Sequence, residues 1–259
     1  MSKISDAMYE IVEMDELAEQ KTLIHQLHPL VKLIITILYT TLVVSFDKYD
    51  LIGLLPMVLY PVIVFYLSDL SLKSALKKLR YVLPLVGFIG VFNPVFDHRE
   101  MLHINGVVIT GGMISMTTLI LKGIYTLLGA FLLMATTGME RLCYALRILR
   151  IPSILVTQIL LVYRYIMVLM KEANSVMEAY SMRAPKEKGI RYRVWGTLLG
   201  QLLLRSLIRA ENLYDSMLLR GFKGEFYYGN KQKIDRYDVG YLLLWLVILV
   251  GLRLLRLVI

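Results

Sequence analysis

The sequence predicts an all-α integral membrane protein with about five transmembrane helices and two long, crossed helices in the cytoplasm. Three observations predict it. Of 259 residues, 57% are hydrophobic and 19% are charged, with a mean hydropathy of +0.62. A soluble globule is roughly 45–50% apolar and about 25% charged, so the excess apolar surface must face lipid. The apolar residues gather in runs close to the length of a bilayer span. The charge is segregated as well: residues 141–236 hold 17 basic and 7 acidic side chains, a net of +10, against 12 and 13 in the rest of the chain. Beside membrane spans such a block marks the cytoplasmic side rather than a nucleic-acid surface. Cys143 is the single cysteine, so neither an internal disulfide nor a thiolate metal cage is available.

Residues 1–29 form a cytoplasmic N-terminal segment. Met8, Ile11, Val12 and Leu17 share one side of a helix, while Asp6, Glu10, Glu13, Asp15, Glu16 and Glu19 make the stretch acidic and unlike a signal sequence. Residues 30–140 form a bundle of four spans. The first, 30–46, is charged only at Lys32 and follows a lead-in turn that contains His25 and His28. A turn at 47–50 leads to the second, 51–67, interrupted by Pro56 and Pro61. The link 68–80 carries Lys73, Lys77, Lys78 and Arg80, which places it in the cytoplasm and the 47–50 turn outside. The third span, 81–92, is short, and Pro84, Gly87 and Gly90 predict kinks or close helix contacts. Asn105-Gly106 between apolar residues predicts a hairpin on the outer face. His98 and His103, with Asp97 and Glu100, are solvated loop residues in preference to metal ligands. The fourth span, 113–137, contains Lys122, whose charge must face the bundle interior or snorkel. Residues 239–259 form the last span, with Arg253 and Arg256 snorkelling near its end.

Residues 141–238 form the basic cytoplasmic domain. Two helices are predicted there, 153–183 and 194–220. If both crossed the membrane, the densest basic stretch, 183–193, would lie outside, so both are assigned to the cytoplasmic face as amphipathic helices. Their ends are alike: Met182-Arg183-Ala184-Pro185 and Leu219-Arg220-Gly221-Phe222. Pro185 cannot continue a helix, and Gly221 suits a left-handed C′ position. An arginine in a last turn is stabilised by the helix dipole whatever else it does. Gly196 and Gly200, four residues apart, predict a close helix crossing. Gly224 and Gly229 have the outer spacing of a phosphate loop, but Asn230 stands at the lysine position, so no nucleotide site is expected. A membrane-embedded enzyme would need converging mid-span acids or histidines, and a self-sufficient secondary carrier would need inverted repeats or ionisable residues within the spans. The sequence shows neither pattern.

The stretch from Arg205-Ser206-Leu207-Ile208-Arg209-Ala210-Glu211-Asn212 through Leu219-Arg220-Gly221-Phe222 resembles the transmembrane T component of energy-coupling factor (ECF) transporters, most closely the CbiQ branch of cobalt and nickel uptake. Supporting matches are Leu27-His28-Pro29-Leu30-Val31-Lys32-Leu33, Asn93-Pro94-Val95-Phe96 and Tyr163-Arg164-Tyr165. The resemblance implies that this chain is a coupling subunit of an ECF-type ABC importer in a prokaryotic plasma membrane, with no enzymatic activity or cofactor of its own. It implies two ATP-hydrolysing ABC subunits and a substrate-binding membrane subunit (S component, CbiM-like) as partners, alongside membrane lipid and without nucleic acid. The two long helices of that family end in Ala-Arg-Gly-like triplets that dock on the ATPases. Carried over, the docking residues are Arg183, Ala184, Arg220 and Gly221, with Gly196 and Gly200 at the helix crossing. Here the triplets read Met182-Arg183-Ala184 and Leu219-Arg220-Gly221, with the central arginine kept in each. Cobalt is the first substrate expected, then nickel, then a vitamin.

Overall fold

The computed structural model describes residues 3–80, 82–97, 100–104, 107–185, 189–224 and 234–258. In chain order these form α1 (Lys3–Ala18), α2 (Leu23–Gln26), α3 (Pro29–Val44), α4 (Leu51–Leu54), a 3-10 turn (Leu55–Val58), α5 (Leu59–Leu67), α6 (Leu72–Leu79), α7 (Leu83–Phe96), β1 (Glu100–Ile104), β2 (Val107–Thr110), α8 (Gly111–Thr137), α9 (Met139–Ile148), α10 (Ser153–Arg183), α11 (Tyr192–Leu219) and α12 (Arg236–Val258). Among the described residues the protein is helical apart from one small hairpin. Among the described residues α8, α10 and α12 are long and apolar enough to cross a membrane, and 29–44, 51–67 and 83–94 are shorter apolar helices. Length and composition alone thus make α10 a span candidate as well as an amphipathic arm. Two compact units divide the chain: a bundle unit, residues 16–138 and 232–259, and an arm unit, residues 1–15 and 139–231.

The bundle unit is organised on α3 and α8. Pro29 opens α3 at a position that has no use for an N–H, and the His28 imidazole caps it by accepting from the Leu30 amide at 3.2 Å. The buried Lys32 ammonium then donates to the Thr136 carbonyl at 2.7 Å, in the last turn of α8. At the opposite end Lys122 of α8 donates to the Val44 carbonyl at 3.1 Å and to the Phe46 carbonyl. These are helix-terminal carbonyls with no intrahelical partner, and a cation beside them also meets the negative end of the dipole. Lys122 therefore faces the bundle interior. The span from residue 32 to 46 equals that from 122 to 136, so the two helices run antiparallel in one unbroken register. Midway, a Cβ built on Gly129 would lie 3.2 Å from the Tyr39 ring. Glycine there lets the helices approach closely.

The remaining helices close on this pair. Tyr39 and Tyr60 form a tilted pair with ring centroids 4.3 Å apart, and Tyr60 meets Trp245 of α12 edge-on at 4.8 Å. Tyr39 donates to the Met57 carbonyl at 3.2 Å, in the 3-10 turn that Pro56 introduces into the second apolar segment. Asp238 fixes the start of α12: its buried carboxylate accepts from the Asp235 amide at 2.9 Å and from the His28 amide at 2.7 Å. The first contact is half of a capping box, and the second joins α12 to the lead-in turn of α3. Arg253, expected to snorkel with Arg256, reaches the end of α3; the side chain of Arg256 lies outside the described residues. Arg253 donates to the Ser45 carbonyl at 3.2 Å and lies 4.2 Å from the Phe46 ring centroid. The end of α3 supplies acceptors and an aromatic face that compete with the headgroup region.

α7 runs past its expected end at residue 92 to Phe96, with Pro94 inside it. Pro94 forfeits one ladder bond, but tertiary contacts hold the last turn. Asn93 Nδ2 lies 3.2 Å from Ser115 Oγ, the Gly112 amide donates to the Asp97 carbonyl at 3.1 Å, and a Cβ on Gly112 would sit 2.5 Å from Pro94 Cα. The Asn93-Pro94 motif is thus a docking surface for the start of α8. β1 and β2 pair antiparallel with Ile104 opposite Val107, as the Asn-Gly signal predicts; Asn105 and Gly106 themselves lie outside the described residues.

Replacing Gly129 with leucine should force α3 and α8 apart and lower stability by about 1–3 kcal/mol, the usual range for overpacking. Gly200→Leu, where nothing lies within 4 Å of the added Cβ, should leave the melting temperature of the purified protein unchanged. Equal melting temperatures for Gly129→Leu and the parent would refute the close approach.

Candidate functional site

The arm unit is held by few buried groups. Val156 and Thr157 are the buried positions of α10, and α11 has none. Polar contacts place the helices. Tyr163 of α10 donates to Asp15 of α1 at 2.5 Å, and Arg164 lies 3.8 Å from Glu140 of α9. Tyr165 faces the groove between α10 and α11, so the Tyr163-Arg164-Tyr165 motif divides its side chains among three neighbours. Glu172 of α10 receives Arg205 in a close ion pair and Arg209 at 3.8 Å, both from α11. Partly exposed pairs of this kind contribute no more than about 1 kcal/mol each. They align the helices without locking them.

Between α10 and α11 lies an open apolar groove of about 900 Å³, lined by Leu161, Val162 and Ile166 on one side and Leu207, Leu213 and Met217 on the other. The contact and the ion pairs fall along this groove, and not at the glycine pair. Gly196 and Gly200 have open space around them. The ion pairs that link α10 to α11 fall further along α11, at Arg205 and Arg209.

Both helix ends have the form their sequences predict. Arg183 is the last residue of α10, and Ala184, before Pro185, leaves the helical region with φ −128° and ψ 60°. A residue that precedes proline is driven out of the helix by the pyrrolidine ring. At the end of α11, Gly221 has φ +78°; its amide donates to the Leu218 carbonyl at 2.9 Å and the Phe222 amide to the Met217 carbonyl at 3.0 Å. This is a Schellman stop, in which the left-handed residue is glycine because a Cβ would be strained. Arg183 and Arg220 are both exposed, and among the described residues neither makes an ion pair or a side-chain hydrogen bond. The residues before them point outward too: Met182 is 78% exposed and Leu219 90%. Each tip therefore presents an apolar knob, a free guanidinium and a small residue. The knobs were visible in the sequence as departures from the Ala-Arg-Gly pattern, and their exposure gives that departure a physical meaning.

Residues 20–233 match the family described as cobalt transport protein, CbiQ. The chain belongs to the CbiQ family. It is a multi-pass membrane protein of a transport family. It is similar to the uncharacterized protein MJ1571 of Methanocaldococcus jannaschii, at 28% identity over 71% of this chain and 66% of that protein. It is also similar to the nickel permease LarQ of Lactiplantibacillus plantarum, at 32% over 42% of this chain and 41% of the permease. A second Methanocaldococcus jannaschii protein, MJ1089, is 33% identical over 35% of this chain and 34% of its own length. The matches thus span less than two thirds of each of these relatives.

Other candidates lie away from the tips. Among the described residues no group of three or more His, Cys, Asp or Glu side chains is placed to hold a metal. Asp97 is engaged by Tyr49 and by Lys48 at 3.5 Å. His98, and the side chains of Glu100 and His103, lie outside the described residues, as do Gly229 and Asn230. His25 and His28 are buried in the lead-in turn, where His28 serves as the cap of α3.

Gly221→Ala should loosen the end of α11, since a side chain at this φ costs about 1–2 kcal/mol. Hydrogen exchange should quicken at residues 217–222 and stay unchanged in α10. Asparagine at the same position, which tolerates the left-handed region, should restore most of the protection. Unchanged exchange in the alanine variant would remove the Schellman stop.

Proposed function

We propose that this protein is the membrane-embedded coupling subunit of an ECF-type importer and that Arg183 and Arg220 are its contacts to two ATP-hydrolysing ABC subunits. The single observation that carries this reading is the pair of helix tips: two consecutive long helices end in exposed arginines that have no partner among the described residues, each beside an exposed apolar residue. A guanidinium stays charged and offers a rigid fork of donors, so an arginine at a tip fits an acidic groove bidentately. Ala184 and Gly221 leave room for the groove wall. The polar alignment of α10 and α11 along Glu172 suits arms that shift as the ATPases open and close. The apolar groove between them suits contact with the substrate-binding membrane subunit, since exposed apolar surface of this extent marks an interaction site. The chain itself performs no chemistry; its partners hydrolyse ATP. Cobalt is the substrate favoured by the family description, and nickel is the second reading because one relative is a nickel permease.

The arms are assigned to the cytoplasm of a prokaryotic cell, with coupling residues 141–238 set between a four-span bundle at 30–140 and the last span at 239–259. The glycine pair Gly196 and Gly200, which has open space in the isolated chain, is kept in this reading as a place where a partner helix can approach the arm.

Arg183→Glu with Arg220→Glu should abolish copurification of the ATPase subunits while the protein still inserts and melts normally. Normal ATPase yield with the double variant would defeat the coupling assignment. Leu219→Ala should weaken the complex several-fold with both arginines present, as expected for an apolar anchor. The topology has a separate test. Burial and the nearby Glu140 charge push the Cys143 thiol up, so the native cysteine is a poor nucleophile. Cysteines at Arg191 and Lys231 should resist an impermeant maleimide in intact cells and react after lysis. Labelling of either in intact cells would overturn the topology.

A further inference from the structure

α6 is a short helix with three distinct sectors. Ala75 and Leu79, one turn apart, are buried against the bundle unit. Next around the helix come Leu72 and Leu76, which are 40% and 49% exposed. Beyond them lie Lys77 and Arg80, both exposed. Residues spaced by three and four share a helix face, so the order bundle, apolar, basic follows from the backbone alone. The segment 72–80 also contains Lys73 and Lys78 and has no acidic residue.

The turn before α6 is built to hold this orientation. Asp69 takes a left-handed φ of +54°, and the Leu70 amide donates to the Phe65 carbonyl at 3.3 Å. Ser68 Oγ donates to the Val64 carbonyl at 2.7 Å. Leu70, just before the helix, is buried. A chain that only needed a loop here would not require a capped turn, an anchored helix and two leucines left about half exposed among the described residues.

From these sectors we infer that α6 lies in the membrane interface and binds the phosphates of anionic lipid headgroups. The exposed leucines enter the acyl boundary, the buried pair fixes the helix to the bundle, and Lys77 and Arg80 meet the headgroups. Amphipathic helices with apolar and basic faces side by side adopt this position, and basic residues at a membrane surface select anionic lipid. The inference does not depend on the coupling assignment or on which side of the membrane α6 occupies.

The test uses the full-length protein in nanodiscs of mixed phosphatidylglycerol and phosphatidylcholine, followed by native mass spectrometry of retained lipid. The parent protein should retain phosphatidylglycerol in preference, and the preference should fall about five-fold for each charge removed in Lys77→Gln and Arg80→Gln, the effect of one basic residue beside an anionic surface. Millimolar inorganic phosphate should not displace the lipid. Undiminished preference in the double variant, or displacement by phosphate, would overturn the proposal. A nitroxide at Leu76 should relax with oxygen, as lipid-exposed labels do, and one at Lys77 with a water-soluble nickel chelate. Equal access of the chelate to both positions would overturn the interfacial placement even if the charge variants fail to fold.

Discussion

Two lysines at opposite ends of one antiparallel helix pair set the terms for the bundle unit. Lys32 of α3 serves the last turn of α8, and Lys122 of α8 serves the end of α3. In a membrane the carbonyls at a helix end lack water, and each one left unsatisfied costs several kcal/mol. A lysine whose stem lies along the apolar pair and whose ammonium reaches those carbonyls meets this need. Its own charge is solvated by the same carbonyls. Arg253 adds a third cation, so Val44, Ser45 and Phe46 each accept from a basic side chain. With the register fixed at both ends, Gly129 and Tyr39 can meet closely in the middle, and the aromatic ladder through Tyr60 to Trp245 builds outward from that contact.

The arm unit obeys the opposite rule. Its helices are long, α11 has no buried residue, and its inter-helix contacts are partly exposed ion pairs. Most helical stability in proteins comes from a packed face, and α11 lacks one in the isolated chain. A cooperative core would make the arms rigid; exposed pairs worth little individually permit small shifts at little cost. The two tips are the exception to this looseness, since their stops are locally well determined. Ala184 is driven from the helix by Pro185, and Gly221 closes a hydrogen-bonded Schellman motif. Arg183 and Arg220 therefore sit at fixed points on their own helices, which is the useful property for a docking residue.

Most helix positions were legible because periodicity, capping and stop signals lie within a few consecutive residues. The first arm helix, 153–183, matches α10 at both ends, and the Asn-Gly hairpin and the Gly221 stop form as expected. The side chains of Lys122 and Arg253 were harder to place. Composition says only that a charge in an apolar helix must find a polar surrounding. It is satisfied by carbonyls at the end of α3, which the sequence does not mark as acceptors. Gly196 and Gly200 have open space around them among the described residues. Small residues permit close approach, but the approaching element must be present, and α10 meets α11 elsewhere.

The sequence by itself determined the membrane class, the long apolar helices, the ends of the two arm helices, the hairpin, and the arginine at each arm tip, because these follow from composition and from interactions a few residues long. Only the tertiary structure decided that Lys32 reaches Thr136, 104 residues away, that Asp238 ties α12 to His28 across 210 residues, and that Met182 and Leu219 stand exposed beside their arginines. A donor inside an apolar helix can be satisfied by any carbonyl that packing brings near it. Which one it meets depends on the arrangement of helices far apart in sequence, and no local window contains that arrangement.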